Sequence, residues 1–300
     1  MPLATSGRGH TLGLMKPLCA LLGFLLLWPG QALAQVTVDV VLDQDHYLAN
    51  EPLLVGVRVT NFSGRTLKLG KDPDWLQIAV EADGGMFLEK LADPPVVKEF
   101  EVPSSTKGTR WFDLQPCFNL GRTGCYQVTA VVRIPELGQE LTTKPKAVII
   151  SSGAKVWQQE FGLPPKPGDA SAAPETRRYA LVTAMSGKRV HLYVRVTDGP
   201  ETKSYRVFPI GAMLTFSHPE AQVDRNAELH VLFQTSAQQF TYVQVDPDGQ
   251  LLAHRTHKYT ESRPKLRAEA DGTVLVRGGT RIKAHSDFPK PPPVEPPAAP

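Results

Sequence analysis

Asp224, His230 and Asp246 are the residue types a hydrolase would gather, two carboxylates and an imidazole that can exchange protons with a glycan substrate. They are the candidates if the chain is an enzyme. The other reactive-looking strings have plainer readings. His254 and His257 stand three apart, a spacing that meets on a helix but sends the two rings to opposite faces of a strand, and strands flank them. No glutamate lies between them as a metalloprotease motif requires. Asp246-Pro247-Asp248-Gly249 offers two carboxylates without the rest of a calcium loop, and Pro-Asp-Gly is ordinary turn chemistry. Ser104 to Lys107 matches S-x-x-K, but Pro103 and Gly108 bracket it between strands, where serine and lysine do not meet. No G-x-S-x-G, phosphate-binding loop, dinucleotide fingerprint or H-E-x-x-H occurs. The expectation is therefore no catalytic set, no metal and no cofactor.

Where such residues act depends on compartment. Met15 to Gln35 reads as a leader: Lys16, an apolar core from Leu18 to Trp28, a Pro-Gly break, then Ala32-Leu33-Ala34 at the positions a signal peptidase needs. An eleven-residue core is too short to span a bilayer as a helix, which takes roughly 20 residues. Residues 1–34 are thus expected to be removed, giving an exported periplasmic or extracellular protein without a transmembrane segment. Cys19 lies at the start of the apolar core, whereas a lipid-attachment cysteine follows the core. Of 33 basic and 30 acidic residues, Arg8 and Lys16 leave with the leader, so the mature net charge is +1. Such balance gives no blanket attraction to nucleic acid or anionic lipid. Cys117 and Cys125 are the mature cysteines, and an even, closely spaced pair in an oxidising compartment reads as one disulfide.

The elements that must carry these residues are strands. Val36, Val38, Val40 and Leu42 alternate with their neighbours, as do Leu53 to Val59 and Tyr126 to Ile134, a period of two that buries one face. Shorter candidates fall at 66–69, 76–81, 96–102, 110–114 and 147–150, with turns at Asn61 to Gly64 and Asp83 to Gly85. About eight short strands without an amphipathic helix predict a β-sandwich over 35–152. Asn61-Phe62-Ser63 is a glycosylation sequon, read here as a turn. Trp75, Trp111 and Trp157 are read as core.

Two motifs in this half carry a resemblance. Tyr47-Leu48-Ala49-Asn50-Glu51-Pro52 leads into a strand that ends in Thr60-Asn61, and it resembles the opening of bacterial immunoglobulin-like modules, including macroglobulin-type domains. Asn50 stands where glycine is usual, and asparagine also tolerates left-handed backbone. Gly124-Cys125-Tyr126 resembles a tyrosine corner, whose hydroxyl bonds to backbone upstream. The resemblance implies a fold, and through the macroglobulin-type modules a protease-inhibitor-like function as one alternative.

Residues 161–178, with four prolines, are expected to be a linker, and 286–300 a disordered proline-rich tail. Between them, 179–283 is expected to be a second, smaller β domain. Within it Arg189 to Arg195, Glu228 to Gln234 and Gly272 to Arg277 echo one another about forty residues apart, and Pro219 to Asp224 with Asp246 to Gly249 resembles sialidase-type propeller blades. Too few units exist to close a ring, so the domain is either a partial propeller or a sandwich. The apolar face of Val190, Leu192, Val194 and Val196 needs a cover from a second sheet, the first domain or another chain, which leaves open an oligomer through this domain.

The function expected is an exported, non-catalytic binding or envelope-scaffold protein that recognises a protein or glycan through loops or strand edges. The candidate loops are Asp43 to Asn50, Asp83 to Leu88 and Pro116 to Gly124. A secreted glycan-acting hydrolase and a protease-inhibitor-like module are the alternatives.

Overall fold

The computed structural model describes residues 36–163 and 175–288; the expected leader, the middle of the expected linker and the end of the tail lie outside them. The described residues are all-β, with two three-residue 3-10 turns at 73–75 and 135–137 as their helical pieces. Eleven strands make the first half: β1 (Val36–Leu42), β2 (His46–Leu48), β3 (Leu54–Asn61), β4 (Leu67–Leu69), β5 (Leu76–Ala82), β6 (Met86–Phe87), β7 (Phe100–Val102), β8 (Thr106–Asp113), β9 (Gly124–Ile134), β10 (Gln139–Thr142) and β11 (Lys146–Ser151). One sheet runs β1-β3-β8 and the other β2-β11-β9-β5-β6, with β10 on β9. Alternation does what the sequence implies: Val38, Val40, Val55, Val57 and Val59 of one sheet share a core with Ile78, Val80, Val128, Ala130 and Val132 of the other. The short β4-β7 pair closes the rim through Leu67 and Val102.

Both motifs of the resemblance have identifiable work to do. Asn50 takes the left-handed conformation at φ 65°. Buried Glu51 accepts from the Leu48 N–H at 2.7 Å and from Gln44 Nε2 at 2.8 Å, which closes the turn before β3. The Tyr126 hydroxyl donates to the Arg122 carbonyl at 2.9 Å, the bond expected of a tyrosine corner. Asn61 is fully buried and donates to the Arg65 and Val102 carbonyls, so the sequon asparagine is a structural residue.

The second half holds β12 (Ala154–Gly162), β13 (Thr176–Ser186), β14 (Arg189–Asp198), β15 (Ser204–Met213), β16 (Glu220–Val223), β17 (Leu229–Gln234), β18 (Gln239–Val245), β19 (Leu251–Lys258), β20 (Lys265–Ala268), β21 (Val274–Arg277) and β22 (Thr280–Ile282). A four-stranded sheet β12-β13-β14-β15 faces a five-stranded sheet β16-β17-β18-β19-β22. Tyr179, Leu181, Leu192, Val194 and Val196 meet Leu229, Val231, Phe233, Val243 and Val245 between them. The apolar face of β14 is thus covered from within its own half. Two sheets packed face to face over one core form a sandwich-type domain, and no propeller ring closes among the described residues. The forty-residue echo falls on β14, β17 and β21 of three different sheets, because strands buried on one face share a pattern without sharing a blade. The β20-β21 hairpin covers the back of the five-stranded sheet, where Leu266 and Val274 pack on Leu232, Phe240, Tyr242 and Ala253.

Three expected boundaries move. Gly162 pairs with Thr176, Phe161 with Arg177 and Glu160 with Arg178, so both ends of the expected 161–178 linker lie in a hairpin of the second half. Phe161 stacks on Tyr179 with ring centroids 4.5 Å apart, and buried Arg177 pairs with Glu175 at 3.0 Å and with Asp248. The described ends of that segment, 161–163 and 175–178, belong to the second half rather than to a junction between domains. The halves meet instead at Ser152 and Gly153, between β11 and β12. At the far end the expected tail begins too early: Phe288 bridges His254, and buried Asp287 pairs with Arg281 at 3.1 Å.

Leu48 of β2 packs with Ala180, Val182, Tyr193 and Val207 on the outer face of the four-stranded sheet. β14 therefore has no free face along its middle. Val194 faces one core, and Tyr193 faces the joint between the halves.

Candidate functional site

Three loops were expected to recognise a partner, and the structure uses two of them for packing. In Asp43 to Asn50, Tyr47 and Leu48 are buried, and the Tyr47 hydroxyl donates to Asp43. In Pro116 to Gly124, Cys117, Phe118 and Leu120 are buried against the first core. Asp83 to Leu88 differs. Gly84 and Gly85 have positive φ and turn the chain from β5 into β6, the edge of the six-stranded sheet. There Met86 and Phe87 are each 67% exposed. Leu91, in the segment that follows, is also exposed. Large apolar side chains exposed along the edge strand of a sheet are uncommon on a surface without a partner.

The expected disulfide is absent: Cys117 and Cys125 are separate thiols. Cys117 points into the core and leans on the Asp113 carbonyl at 3.7 Å, where burial pushes its pKa up. Cys125 precedes Tyr126 on β9, and alternation sends it to the face opposite that buried ring. Of the tryptophans, Trp75 is core and donates to the Val96 carbonyl at 2.9 Å. Trp111, expected in the core, is 49% exposed on edge strand β8 because its buried neighbour Phe112 takes the inner face.

The three residues proposed for hydrolysis do not form a reactive set. Asp246 Oδ1 accepts from the Asp248 and Gln250 N–H groups at 3.0 and 2.7 Å, which fixes the turn between β18 and β19. Asp224 Oδ1 does the same one hairpin earlier, accepting from Asn226 and Glu228 at 2.9 and 2.8 Å. The second oxygen of Asp224 lies 3.3 Å from His230 Nε2, with the two side chains only 5% and 4% exposed. A glycan cannot reach a pair so covered.

His230 belongs instead to a polar ring that stays open at its Nε2. Its Nδ1 is 2.8 Å from the Tyr242 hydroxyl, which donates to Gln244 Oε1 at 3.2 Å; Gln244 Nε2 donates to Glu228 Oε2 at 2.6 Å. Burial pushes the Tyr242 pKa up to about 12, so it stays a hydroxyl. Asp224, Glu228 and His230 bring one ligand atom each to within 4.8 Å of one another, a grouping able to hold a metal ion. Sequence reasoning named Asp224 and His230 but missed Glu228, Tyr242 and Gln244. A signal existed. Glu228 and His230 are two apart at the start of one strand, Tyr242 and Gln244 two apart on the next, and hairpin register sets His230 opposite Gln244.

No family model and no curated protein matches the chain. Among solved structures, the crystal structure of Spo0M, a sporulation control protein from Bacillus subtilis, overlays on 55% of this chain and 80% of that chain with 9% identity and a TM-score of 0.30.

Proposed function

We propose that the protein is an exported, non-catalytic binding or scaffold protein whose partner is an extended polypeptide segment added along the edge of β6. The observation that carries this reading is the pair Met86 and Phe87, exposed on the two-residue strand that ends the six-stranded sheet. Backbone N–H and C=O groups along a sheet edge supply affinity for an extended chain, and adjacent apolar side chains supply selectivity. Export rests on the Met15 to Gln35 leader pattern. An immunoglobulin-like relationship for the first half rests on the Tyr47 to Pro52 motif and the Tyr126 corner. Burial of Asp224 and His230 weighs against the hydrolase alternative.

A photo-reactive residue placed at Met86 in producing cells should give one discrete protein adduct that disappears with Phe87→Asp. The same probe at Leu275, also exposed but on the β20-β21 hairpin, should give none. No adduct at Met86, or turnover of a glycan or peptide panel by the purified protein, would refute the reading.

A further inference from the structure

The polar ring on β17 and β18 leaves one atom without a role. Gln244 Nε2 must be the atom that faces Glu228, since a carboxylate only accepts, so Gln244 Oε1 faces Tyr242. Tyr242 has a single proton and spends it on that oxygen. It therefore accepts from His230, and the His230 Nδ1 carries the hydrogen. Nε2 then carries a lone pair, lies 3.3 Å from Asp224 Oδ2 and makes no hydrogen bond. A lone pair and a carboxylate repel unless a positive centre lies between them.

We propose that this centre is a zinc-class divalent metal ion held by Asp224, Glu228 and His230. Two ligands each about 2.05 Å from a tetrahedral zinc stand about 3.3 Å apart, the separation found between His230 Nε2 and Asp224 Oδ2. Each ligand is held by a second partner that leaves one atom free for the ion. Tyr242 fixes the His230 ring, the turn N–H groups take Asp224 Oδ1, and Gln244 takes Glu228 Oε2. Outer partners of this kind orient metal ligands. A further observation comes from across the strand pair. Gln222 lies opposite His230 in register, which puts the two side chains on one face, and Gln222 Oε1 is a buried oxygen with no hydrogen-bond partner. One imidazole with carboxylate oxygens selects a first-row ion over calcium or magnesium, which prefer all-oxygen sites. The ligands are too covered for a substrate, so the ion clamps the β16-β17 hairpin.

The test is zinc titration of the purified full chain after treatment with chelator, with calorimetry and thermal melting as readouts. One equivalent should bind, and zinc should raise the melting temperature by several degrees where calcium and magnesium do not. His230→Ala should abolish binding. Glu228→Gln and Tyr242→Phe should weaken it at least tenfold, and the stabilisation by zinc is read for each variant against its own metal-free melt. Failure to bind zinc by a folded wild-type chain would overturn the proposal. So would zinc binding that survives all three substitutions, or a preference for calcium or magnesium.

Discussion

Single residues here are governed by which face of a strand they occupy, and the cysteines show it. Cys117 faces the first core and Cys125 faces away, so short sequence spacing does not bring the sulfurs together. Thiol titration in denaturant should find two free groups in the mature chain, and melting should not respond to reductant; a mass lower by two hydrogens would contradict the structure. His257 on β19 is a second case. Burial, then Arg281 and Arg255, hold its pKa below the usual value of 6.5. The unfolded chain therefore takes up its proton first as pH falls. Stability from a neutral His257 is complete above about pH 6.5 and is lost as pH drops through the lowered value. His257→Gln should flatten the fall in urea midpoint between about pH 6.5 and 5, and an unchanged slope would show that His257 is not the group responsible. Period-two patterning made the core valines readable from sequence, yet the same pattern could not tell Trp75 from Trp111. Trp111 is exposed because Phe112 takes the inner face of β8, whereas Trp75 ends the 3-10 turn before β5 and is buried.

At the scale of elements, strands were legible and their partners were not. Alternation in β14 identified a face that needed cover, but three covers satisfied it equally, because the pattern carries no information about which sheet lies opposite. The structure supplies Leu229, Val231 and Phe233 of β17 with Val243 and Val245 of β18. Val194 is fully buried among them. Val194→Asp should therefore cost about 4 kcal/mol or more by leaving an unpaired carboxylate in an apolar layer, and unfold the second half. A folded variant that merely changed its sedimentation mass would instead place Val194 in an interface between copies. The polar ring was half legible for a related reason. Asp224 and His230 stand out by residue type, whereas Glu228 and Gln244 look like ordinary solvated strand ends until pairing sets them beside His230.

At the scale of the whole molecule, composition misplaced the junction. Proline content drew the division at 161–178, but strand pairing changes partners around Ser152 and Gly153, where β11 on β9 gives way to β12 on β13. Gly153 has φ 66°, and a Cβ there would lie 2.4 Å from Val182 Cγ1 and 2.9 Å from Leu48 Cδ2, so the crossing requires glycine. Two truncated chains separate the alternatives. A chain beginning at Ala154 keeps β12 against β13 and the stacking of Phe161 on Tyr179, so it should fold cooperatively. It also bares Ala180, Val182, Tyr193 and Val207, the surface that Leu48 helps to cover, and should be less stable and less soluble than the intact protein. A chain beginning at Tyr179 lacks β12, the partner strand of β13, and Arg177, whose guanidinium ties β13 to the Asp248 turn. It should fail to give a cooperative melt by circular dichroism. If the shorter chain folds as well as the longer one, β12 contributes nothing to the second sandwich and the junction belongs at the proline-rich segment after all.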